Sequence, residues 1–320
     1  MVDSCKSCDN CNKDLEQYCI GSGWTGTYNA LIKDEAKINI KNHSMGENLY
    51  GGYSTSITVR EDFVLKVPGN IPQEKAGPLL CAGITVYSPL VHFGAKKGGE
   101  GFHTAVVGFG GLGHMAVKIA KAMGNTVTVV SRGTKKMEAA KACGADNYVN
   151  SKDSKEMKAA TNKFDLILNT VAANHEVREY MALLKVDGTM CMLGIPPEAF
   201  KMMAFDFIFQ RKRLAGSLIG GIKETQEMLD FCAEHKLVPD TEMINAKDIN
   251  KAYHKLSVGA NDASRYVIDM STLKEGLKVE EEPKIDMSSW KPHAAAMFFP
   301  PESNAHKKPQ DKEQSALPSV

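Results

Sequence analysis

The sequence predicts an α/β fold with a doubly wound parallel sheet over residues 81–221. Short apolar runs rich in valine and isoleucine alternate there with amphipathic segments, a pattern typical of buried parallel strands covered by helices on both faces. The six predicted strands are HTAVVGF (103–109), TVTVVS (126–131), DNYVN (146–150), FDLILNTV (164–171), TMCMLGI (189–195) and LAGSLIG (214–220). The predicted helices between them are GHMAVKIAKAMG (113–124), KKMEAAKACG (135–144) and VREYMALLKVDG (177–188).

The flanking segments have patterns of their own. STSITVREDFVLKVP (54–68) alternates like strands at a sheet edge, and KETQEMLDFCAEHKL (223–237) carries a helical apolar stripe. TEMINAKDINKAYHKL (241–256) and SRYVIDM (264–270) predict strand or loop, then helix, then strand. Residues 271–320 are rich in Pro, Lys, Glu and Ser without sustained periodicity, so we expect a disordered tail.

The composition excludes several classes of protein. The chain has 320 residues, 43% hydrophobic and 24% charged, as expected for a globular protein of two ordinary domains. A net charge of +1 argues against nucleic acid as a partner, and no apolar run approaches the roughly 20 residues that cross a bilayer. We expect no secretory signal and a reducing, cytoplasmic compartment. Four scattered cysteines are expected to be small core residues: Cys81, Cys143, Cys191 and Cys232.

A glycine-rich turn after the first predicted strand of the sheet indicates a dinucleotide site. VVGFGGLGHMAVKIAKAMG has the order G-x-G-x-x-G between a strand and a helix, a context in which the motif is specific. The first glycine permits a tight turn, the second lets the backbone approach a pyrophosphate, and the third allows close packing of helix on strand. The predicted cofactor-binding residues of this Rossmann-type turn are Gly108, Gly110, Gly111, Leu112 and Gly113.

The end of the next strand favours NADP over NAD. An NAD site places an acidic residue there to bind the ribose 2′-hydroxyl, but this sequence has Ser131 and Arg132. Lys135 and Lys136 follow within one helical turn. A hydroxyl and two or three cations would bind a 2′-phosphate, although a solvated basic helix start is the simpler alternative.

Four cysteines close together near residue 1 indicate a metal site. Cys5, Cys8, Cys11 and Cys19 have the spacing C-x2-C-x2-C-x7-C, which suits one tetrahedral zinc held by four thiolates. The ferredoxin type of iron–sulfur cluster has a fourth cysteine three residues on, followed by proline, whereas here the gap is seven and Ile20 follows. A closed site of this kind is structural, because it leaves no open coordination position.

Four blocks of sequence resemble the zinc-containing medium-chain alcohol dehydrogenases, and most closely their cinnamyl alcohol dehydrogenase-like branch of NADP-dependent aldehyde reductases. They are MVDSCKSCDNCNKDLEQYC, GGYST, PLLCAGITVYSPL with VGFGGLGHMAVKIAKAMG, and GSLIGGIKETQEMLDFCAEH with RYVID. The resemblance implies a Rossmann domain (81–221) and an incomplete GroES-like β domain (1–80 and 222–270) that carries the structural zinc lobe (5–19).

The resemblance also implies roles for individual residues. Cys81 would be a ligand of a second, catalytic zinc, and Trp24 would be an aromatic wall of the substrate pocket. The positions implied beside the nicotinamide are Thr85, Thr170, Gly194, Ser217, Leu218 and Ile219. The implied partners are a small alcohol or aldehyde, NADP and zinc, with a homodimer through the edge of the Rossmann sheet.

The departure from the family pattern concerns the catalytic zinc. The family's other catalytic-zinc ligands precede its four-cysteine lobe, and this chain begins at the lobe. His43 and Glu47 lie in a polar loop, and His114 opens the cofactor helix, where packing or a phosphate contact is expected. We therefore expect an NADP(H)-dependent alcohol dehydrogenase or aldehyde reductase whose present chain binds NADP and has little activity. The alternatives are a non-catalytic NADP-binding fragment and a zinc-independent medium-chain reductase.

Overall fold

The computed structural model describes residues 1–21, 23–27, 30–31, 48–49, 51–57, 59–257 and 265–274. The predicted tail therefore lies outside the described residues from residue 275 onward, as do His43 and Glu47. Among the described residues, no helix combines the length and the apolar character that crossing a membrane requires.

The strands of the described part of the chain are short. They are β1 (Ala30–Leu31), β2 (Asn48–Leu49), β3 (His103–Val107), β4 (Thr126–Ser131), β5 (Asn147–Asn150), β6 (Phe164–Asn169), β7 (Leu184–Met192), β8 (Arg213–Gly216), β9 (Thr241–Asn245) and β10 (Arg265–Asp269).

The helices lie mostly between these strands. They are α1 (Gln73–Pro78), α2 (Ile84–His92), α3 (Ala95–Gly98), α4 (Gly111–Ala122), α5 (Met137–Ala142), α6 (Ser154–Ala159), α7 (Val177–Met181), α8 (Phe205–Ile208), α9 (Ile222–Glu234) and α10 (Ile249–Ser257). One π-helical turn, Leu79–Gly83, joins α1 to α2. The 3₁₀ turns are Cys11–Lys13, Glu16–Tyr18, Glu61–Phe63, Gly99–Gly101, Ala246–Asp248 and Met270–Thr272.

All six predicted strands of the central region pair into one parallel sheet, which confirms the predicted fold class. The spatial order is β5-β4-β3-β6-β7-β8, and each neighbouring pair is parallel. In chain order this is 3-2-1-4-5-6, the strand order of a Rossmann sheet. The order reverses between β3 and β6, so a crevice forms beyond the carboxyl ends of these two strands.

Two apolar layers cover the two faces of the sheet. Successive residues of a strand point to opposite faces, and β3 shows this directly. The side chain of Val106 belongs to the core formed with α2, α4 and α9, whereas Ala105 and Val107 belong to the core formed with α7. Burial on both faces explains why the strands read as continuous apolar runs.

Helix α4 is positioned by the glycines around it. Its apolar residues Met115, Val117 and Ile119 are fully buried, and they include the side chains that pack α4 on the sheet. After the helix, Gly124 has a φ of +85°, and its N–H donates to Lys121 O at 2.8 Å. A left-handed glycine of this kind ends a helix at little steric cost. The start of α4 lies next to the crevice, because the residues just before it, Gly108 and Phe109, line that crevice.

Two small strand pairs lie outside the large sheet. β1 and β2 are antiparallel, and β9 and β10 are parallel over five residues each, joined in sequence by α10. The order of strand, helix and strand predicted for residues 241–270 is thus confirmed.

The strands predicted between residues 54 and 68 are wrong for the described residues of this segment. It contains only the 3₁₀ turn Glu61–Phe63, flanked by extended backbone at Arg60 and Val64. An extended segment becomes a strand only through hydrogen bonds to a neighbouring strand. No strand among the described residues pairs with this segment.

The helix predicted over residues 177–188 is wrong beyond Met181. Helix α7 ends there, and β7 begins at Leu184, opposite Phe164 of β6. Asp187 has a φ of +63°, and the register of the pair shifts between Phe164 and Leu166. Pairing with β6 overrides the helical periodicity of Leu183 and Leu184.

The four scattered cysteines differ in their burial. Cys191 and Cys232 are fully buried, and Cys143 is half-buried against the core, as expected for small core residues. The expectation is wrong for Cys81, whose side chain is exposed on the π-helical turn.

Candidate functional site

The glycine turn between β3 and α4 has the geometry that its sequence predicts. Gly108 has a φ of +88°, and its N–H donates to Val130 O at 2.9 Å, which links the turn to β4. A Cβ on Gly113 would overlap Gly108 O, so the third glycine is required for the close approach of helix and strand. Gly110 has open space where a Cβ would lie. That space is where a pyrophosphate can approach the helix start.

A crevice of about 260 Å³ opens beside this turn. It lies at the carboxyl ends of β3, β4 and β6, where a Rossmann sheet binds a dinucleotide. Its lining residues are Val107, Gly108, Phe109, Val130, Ser131, Arg132, Lys136, Ser151, Val171, Ala173, Asn174, His175 and Tyr180. None of these described lining residues carries a carboxylate.

The residues predicted to bind the 2′-phosphate are partly brought together. Ser131 ends β4, and Arg132 and Lys136 line the crevice, whereas Lys135 does not. The Lys136 ammonium donates to Phe109 O at 2.9 Å, so this cation bridges the two loops that form the crevice.

Neighbouring residues of β5 position the turn that carries Arg132. The N–H of Gly133 donates to Asn150 Oδ1 at 2.7 Å, and the Tyr148 hydroxyl donates to Gly133 O at 2.8 Å. The supporting roles of Tyr148 and Asn150 were not predicted. Both residues lie in the predicted strand 146–150 of the same sheet, which is the signal that could have indicated them.

The loop after β6 contributes further residues to the crevice, and these were not predicted from the sequence. His175 is tied by its two ring nitrogens, with Nε2 at 2.8 Å from Asn169 Nδ2 and Nδ1 at 2.8 Å from Ala173 O. The Asn169 amide donates to Nε2, so the Nδ1–H donates to the Ala173 carbonyl. These two hydrogen bonds fix the orientation of the His175 ring at the wall of the crevice.

The residues expected beside the nicotinamide lie mostly at the same edge of the sheet. The Thr170 hydroxyl donates to Val107 O at 2.9 Å, next to Gly108. Gly194 follows β7, and a Cβ there would overlap the Val171 backbone. Thr85 is half-buried in the first turn of α2. Their contact with a cofactor stays a prediction.

Residues 217–219 follow β8, and the structure separates Ser217 from the crevice. Ser217 lines a second cleft of about 460 Å³, between the cysteine lobe, α2 and α9. The Leu218 N–H donates to the Tyr18 hydroxyl at 3.0 Å, and Ile219 packs against the core.

Trp24 is half-buried next to the bridge between Asp3 and Thr25, and it does not line the crevice.

The four cysteines near residue 1 converge on one point. Their sulfur atoms all lie within 4.8 Å of one another, with Sγ–Sγ distances of 3.9 Å for Cys5–Cys11 and 4.0 Å for Cys8–Cys19. Tetrahedral zinc with Zn–S bonds of about 2.3 Å requires sulfurs about 3.8 Å apart. The cluster therefore fits a zinc ion bound by Cys5, Cys8, Cys11 and Cys19.

Backbone N–H groups stabilise negative charge on this cluster. The Ser7 N–H points at Cys5 Sγ at 3.5 Å, and the Cys8 N–H points at the same sulfur at 3.3 Å. The hydrogen bond from Ser7 lowers the pKa of the Cys5 thiol to about 5, whereas burial raises the pKa of Cys11 to about 12. Zinc bound to all four sulfurs would hold both as thiolates.

The cysteine lobe is docked on the start of α9 by a buried carboxylate. Glu16 is 1% exposed and accepts hydrogen bonds from Lys6 Nζ at 2.7 Å and from the Ile222 N–H at 3.2 Å. A Cβ on Gly221 would overlap Asp14 O, so glycine permits this approach of the lobe to the start of α9.

Cys81 stands apart from this cluster. It is exposed on the π-helical turn Leu79–Gly83, a distortion that often marks functional sites. Among the described residues, no group of three metal-ligating side chains includes Cys81. The described part of the chain therefore does not fit a complete catalytic zinc site, and we derive no reaction step through such a zinc.

The fold and the site define a class of protein. A glycine turn at the switch point of a Rossmann sheet is typical of nicotinamide-dinucleotide-binding proteins, and the four-thiolate lobe points to the zinc-containing dehydrogenases.

Comparison with known proteins identifies the family. The zinc-binding dehydrogenase family model matches residues 111–234. The chain is 48% identical to NADP-dependent alcohol dehydrogenase C 1 of Mycolicibacterium smegmatis over 274 residues, covering 86% of this chain and 74% of the relative. It is 49% identical to aldehyde reductase YahK of Escherichia coli over 279 residues, covering 86% and 75%. The chain belongs to the zinc-binding dehydrogenase family, among the relatives of the NADP-dependent alcohol dehydrogenases.

Solved structures agree with this assignment. A cinnamyl alcohol dehydrogenase of Sorghum bicolor superposes with a TM-score of 0.74 at 39% identity, covering 88% of this chain and 75% of that chain. A cinnamyl alcohol dehydrogenase of Helicobacter pylori in complex with NADP(H) gives 0.73 at 39% identity, covering 85% and 74%. The predicted family and fold are therefore confirmed.

Proposed function

We propose that the protein is an NADP(H)-dependent, zinc-containing alcohol dehydrogenase that acts as an aldehyde reductase. The reaction is hydride transfer between NADPH and an aldehyde, with a primary alcohol as the product. The crevice at the glycine turn carries this proposal, because it is lined by Arg132 and Lys136 and by no described carboxylate. The 48% identity to an NADP-dependent alcohol dehydrogenase supports the same cofactor.

The chain's own residues would bind and orient the cofactor. Backbone N–H groups at the start of α4 would bind the pyrophosphate, and Arg132 and Lys136 would bind the 2′-phosphate. Thr170 and Gly194, at the ends of β6 and β7, would place the nicotinamide. NADPH, when bound, supplies the hydride.

Titration of the purified chain with NADPH and NADH tests this proposal. We expect NADPH to bind at least about tenfold more tightly, because the 2′-phosphate adds charge-assisted hydrogen bonds. A folded chain that binds neither dinucleotide, or that prefers NADH, would contradict the proposal.

The position of Cys81 favours a second candidate function, an NADP-binding protein with little turnover. Cys81 is exposed and has no neighbouring pair of ligands among the described residues, and such a cysteine holds zinc weakly. We expect slow oxidation of NADPH with aromatic and aliphatic aldehydes, and no loss of bound zinc in the C81S variant. Turnover at an ordinary enzymatic rate would refute this candidate and leave the reductase.

A zinc-independent reductase of the same superfamily is the third candidate, and the four-cysteine cluster argues against it. Metal analysis of the C11S variant separates the two cases. Loss of one zinc per chain relative to wild type supports the zinc-containing class, and a wild-type chain that holds no zinc supports the zinc-independent class.

We further propose two domains, a homodimer and a cytoplasmic setting. Residues 81–221 would form the Rossmann domain, and residues 1–80 with 222–270 the GroES-like domain. The dimer would form at the free edge of β8, where Phe205, Ile208 and Phe209 are 59%, 67% and 76% exposed. The eight cysteines form no disulfide, which fits a reducing compartment.

A further inference from the structure

A second group of metal-ligating side chains lies at the first turn of α4. His114 is in the first turn of α4, Cys143 follows α5, and Asp240 precedes β9. One ligand atom from each lies within 4.8 Å of the other two. None of the three was predicted to bind a metal, and none belongs to the crevice or to the cysteine lobe.

The orientation of His114 suits a metal ligand. Its Nδ1 lies 2.8 Å from Gly110 O, and its ring stacks on Phe109 with 3.9 Å between the ring centroids. The Nδ1–H donates to that carbonyl, which leaves the lone pair on Nε2. Metal-binding histidines commonly have their second nitrogen fixed by a carbonyl in this way. Burial lowers the pKa of His114, which favours the neutral, metal-binding imidazole.

The thiol and the carboxylate complete a mixed set of ligands. The Cys143 side chain is half-buried against the core, and burial raises the pKa of its thiol. Asp240 Oδ1 accepts from Lys118 Nζ at 2.9 Å, and the same ammonium donates to Val238 O at 3.1 Å. The Lys118 ammonium therefore forms an ion pair with the Asp240 carboxylate.

We propose that His114, Cys143 and Asp240 form a binding site for a borderline-soft divalent metal such as Zn²⁺. Nitrogen, thiolate and carboxylate ligands together suit zinc, and three protein ligands leave a fourth position for water. Bonds of about 2.0–2.3 Å place tetrahedral ligands about 3.4–3.6 Å apart, so the group contracts around the ion. Binding releases the Cys143 proton to solvent, and the metal replaces the Lys118 ammonium as the neighbouring charge of Asp240.

The test uses the full chain with its four-cysteine cluster loaded and excess zinc removed. Zn²⁺ is then added back, and the rate of iodoacetamide alkylation at Cys143 is followed by peptide mass spectrometry. We expect added Zn²⁺ to slow alkylation of Cys143 at least about tenfold, because metal-bound thiolate is a poor nucleophile. This readout is specific to one residue, so the cysteine lobe and Cys81 do not contribute to it.

Matched variants identify the ligands. H114A and D240N should each raise the zinc concentration needed for protection by about tenfold or more, since each removes one ligand. H92A changes an exposed histidine of α2 and should leave protection unchanged. K118M removes the competing ammonium and should lower the zinc concentration needed.

Each possible outcome decides the proposal. Protection that is absent in wild type, or that persists unchanged in H114A and D240N, would overturn it. Circular dichroism of each variant shows whether it is folded. If H114A fails to fold, the opposite shifts expected for D240N and K118M still separate a metal site from an ion pair.

Discussion

Arg132 and Lys135 lie on the same connection after β4, and only Arg132 lines the crevice. We expect R132E to weaken NADPH binding by about tenfold or more, since a charge-assisted hydrogen bond to phosphate contributes about 1.5–3 kcal/mol. NADH binding should change much less, because NADH lacks the 2′-phosphate. The dissociation constants of the two cofactors, measured by calorimetry, check this prediction.

K135E is the matched control for this prediction. It makes the same charge change on the same connection but outside the crevice, so its effect on NADPH binding should be several times smaller. Equal losses in the two variants would mean that the crevice does not bind the 2′-phosphate.

The two glycines Gly110 and Gly113 should respond differently to an added methyl group. In G113A the new Cβ overlaps Gly108 O, a backbone atom that cannot move alone, so we expect about 1–3 kcal/mol lower stability. In G110A the Cβ enters open space, so stability should change little while NADPH binding weakens. Thermal unfolding and cofactor titration of both variants measure the two effects. An unaltered melting temperature in G113A would contradict the overlap.

At this scale the sequence predicted the residues whose chemistry is local. The glycine spacing and the cysteine spacing each imply a geometry within one short segment, and both geometries are present. The contact of Lys136 with Phe109 was not predicted, because it depends on the distance between two loops. The pair of Asn169 with His175 was not predicted either, because it depends on the path of the loop after β6. The same holds for His114, Cys143 and Asp240, which lie far apart in the sequence.

At the scale of elements, the docking of the cysteine lobe on α9 depends on Glu16. We expect E16A to lower the free energy of unfolding by about 1–3 kcal/mol, because it removes the acceptor of the part-buried Ile222 N–H. D14N removes the charge of an exposed ion pair with Lys223, keeps a residue that tolerates the left-handed backbone at position 14, and should cost less than about 1 kcal/mol. Chemical denaturation of both variants gives the comparison, and equal losses would show that Glu16 does not anchor the lobe.

The elements themselves were predictable where burial on two faces enforces an apolar run. This condition holds for the six strands of the large sheet, and all six were found. It fails for residues 54–68, where alternation alone does not supply a partner strand. It also fails after Met181, where pairing of Leu184 with Phe164 replaces helix by strand.

At the scale of the whole molecule, we expect two copies of the chain to form a dimer through the edge of the sheet at β8. I208D and F209D place charges on exposed apolar positions next to this edge, and we expect each to shift a dimer toward monomer in sedimentation experiments. I20D changes an equally exposed apolar residue of the cysteine lobe and should leave the dimer intact. A wild-type chain that sediments as a monomer at all concentrations would exclude this dimer.

The contact between Glu16 and Ile222 makes one amide a reporter of metal content. The first N–H groups of a helix have no acceptor within it, so the Ile222 proton is protected by a carboxylate that belongs to the cysteine lobe. Removing zinc with a chelator should therefore speed hydrogen–deuterium exchange at Ile222, while the amide of Leu229, inside α9, keeps its slow rate. A single proton at the start of α9 would thus record whether a metal is bound by cysteines about 200 residues earlier in the chain.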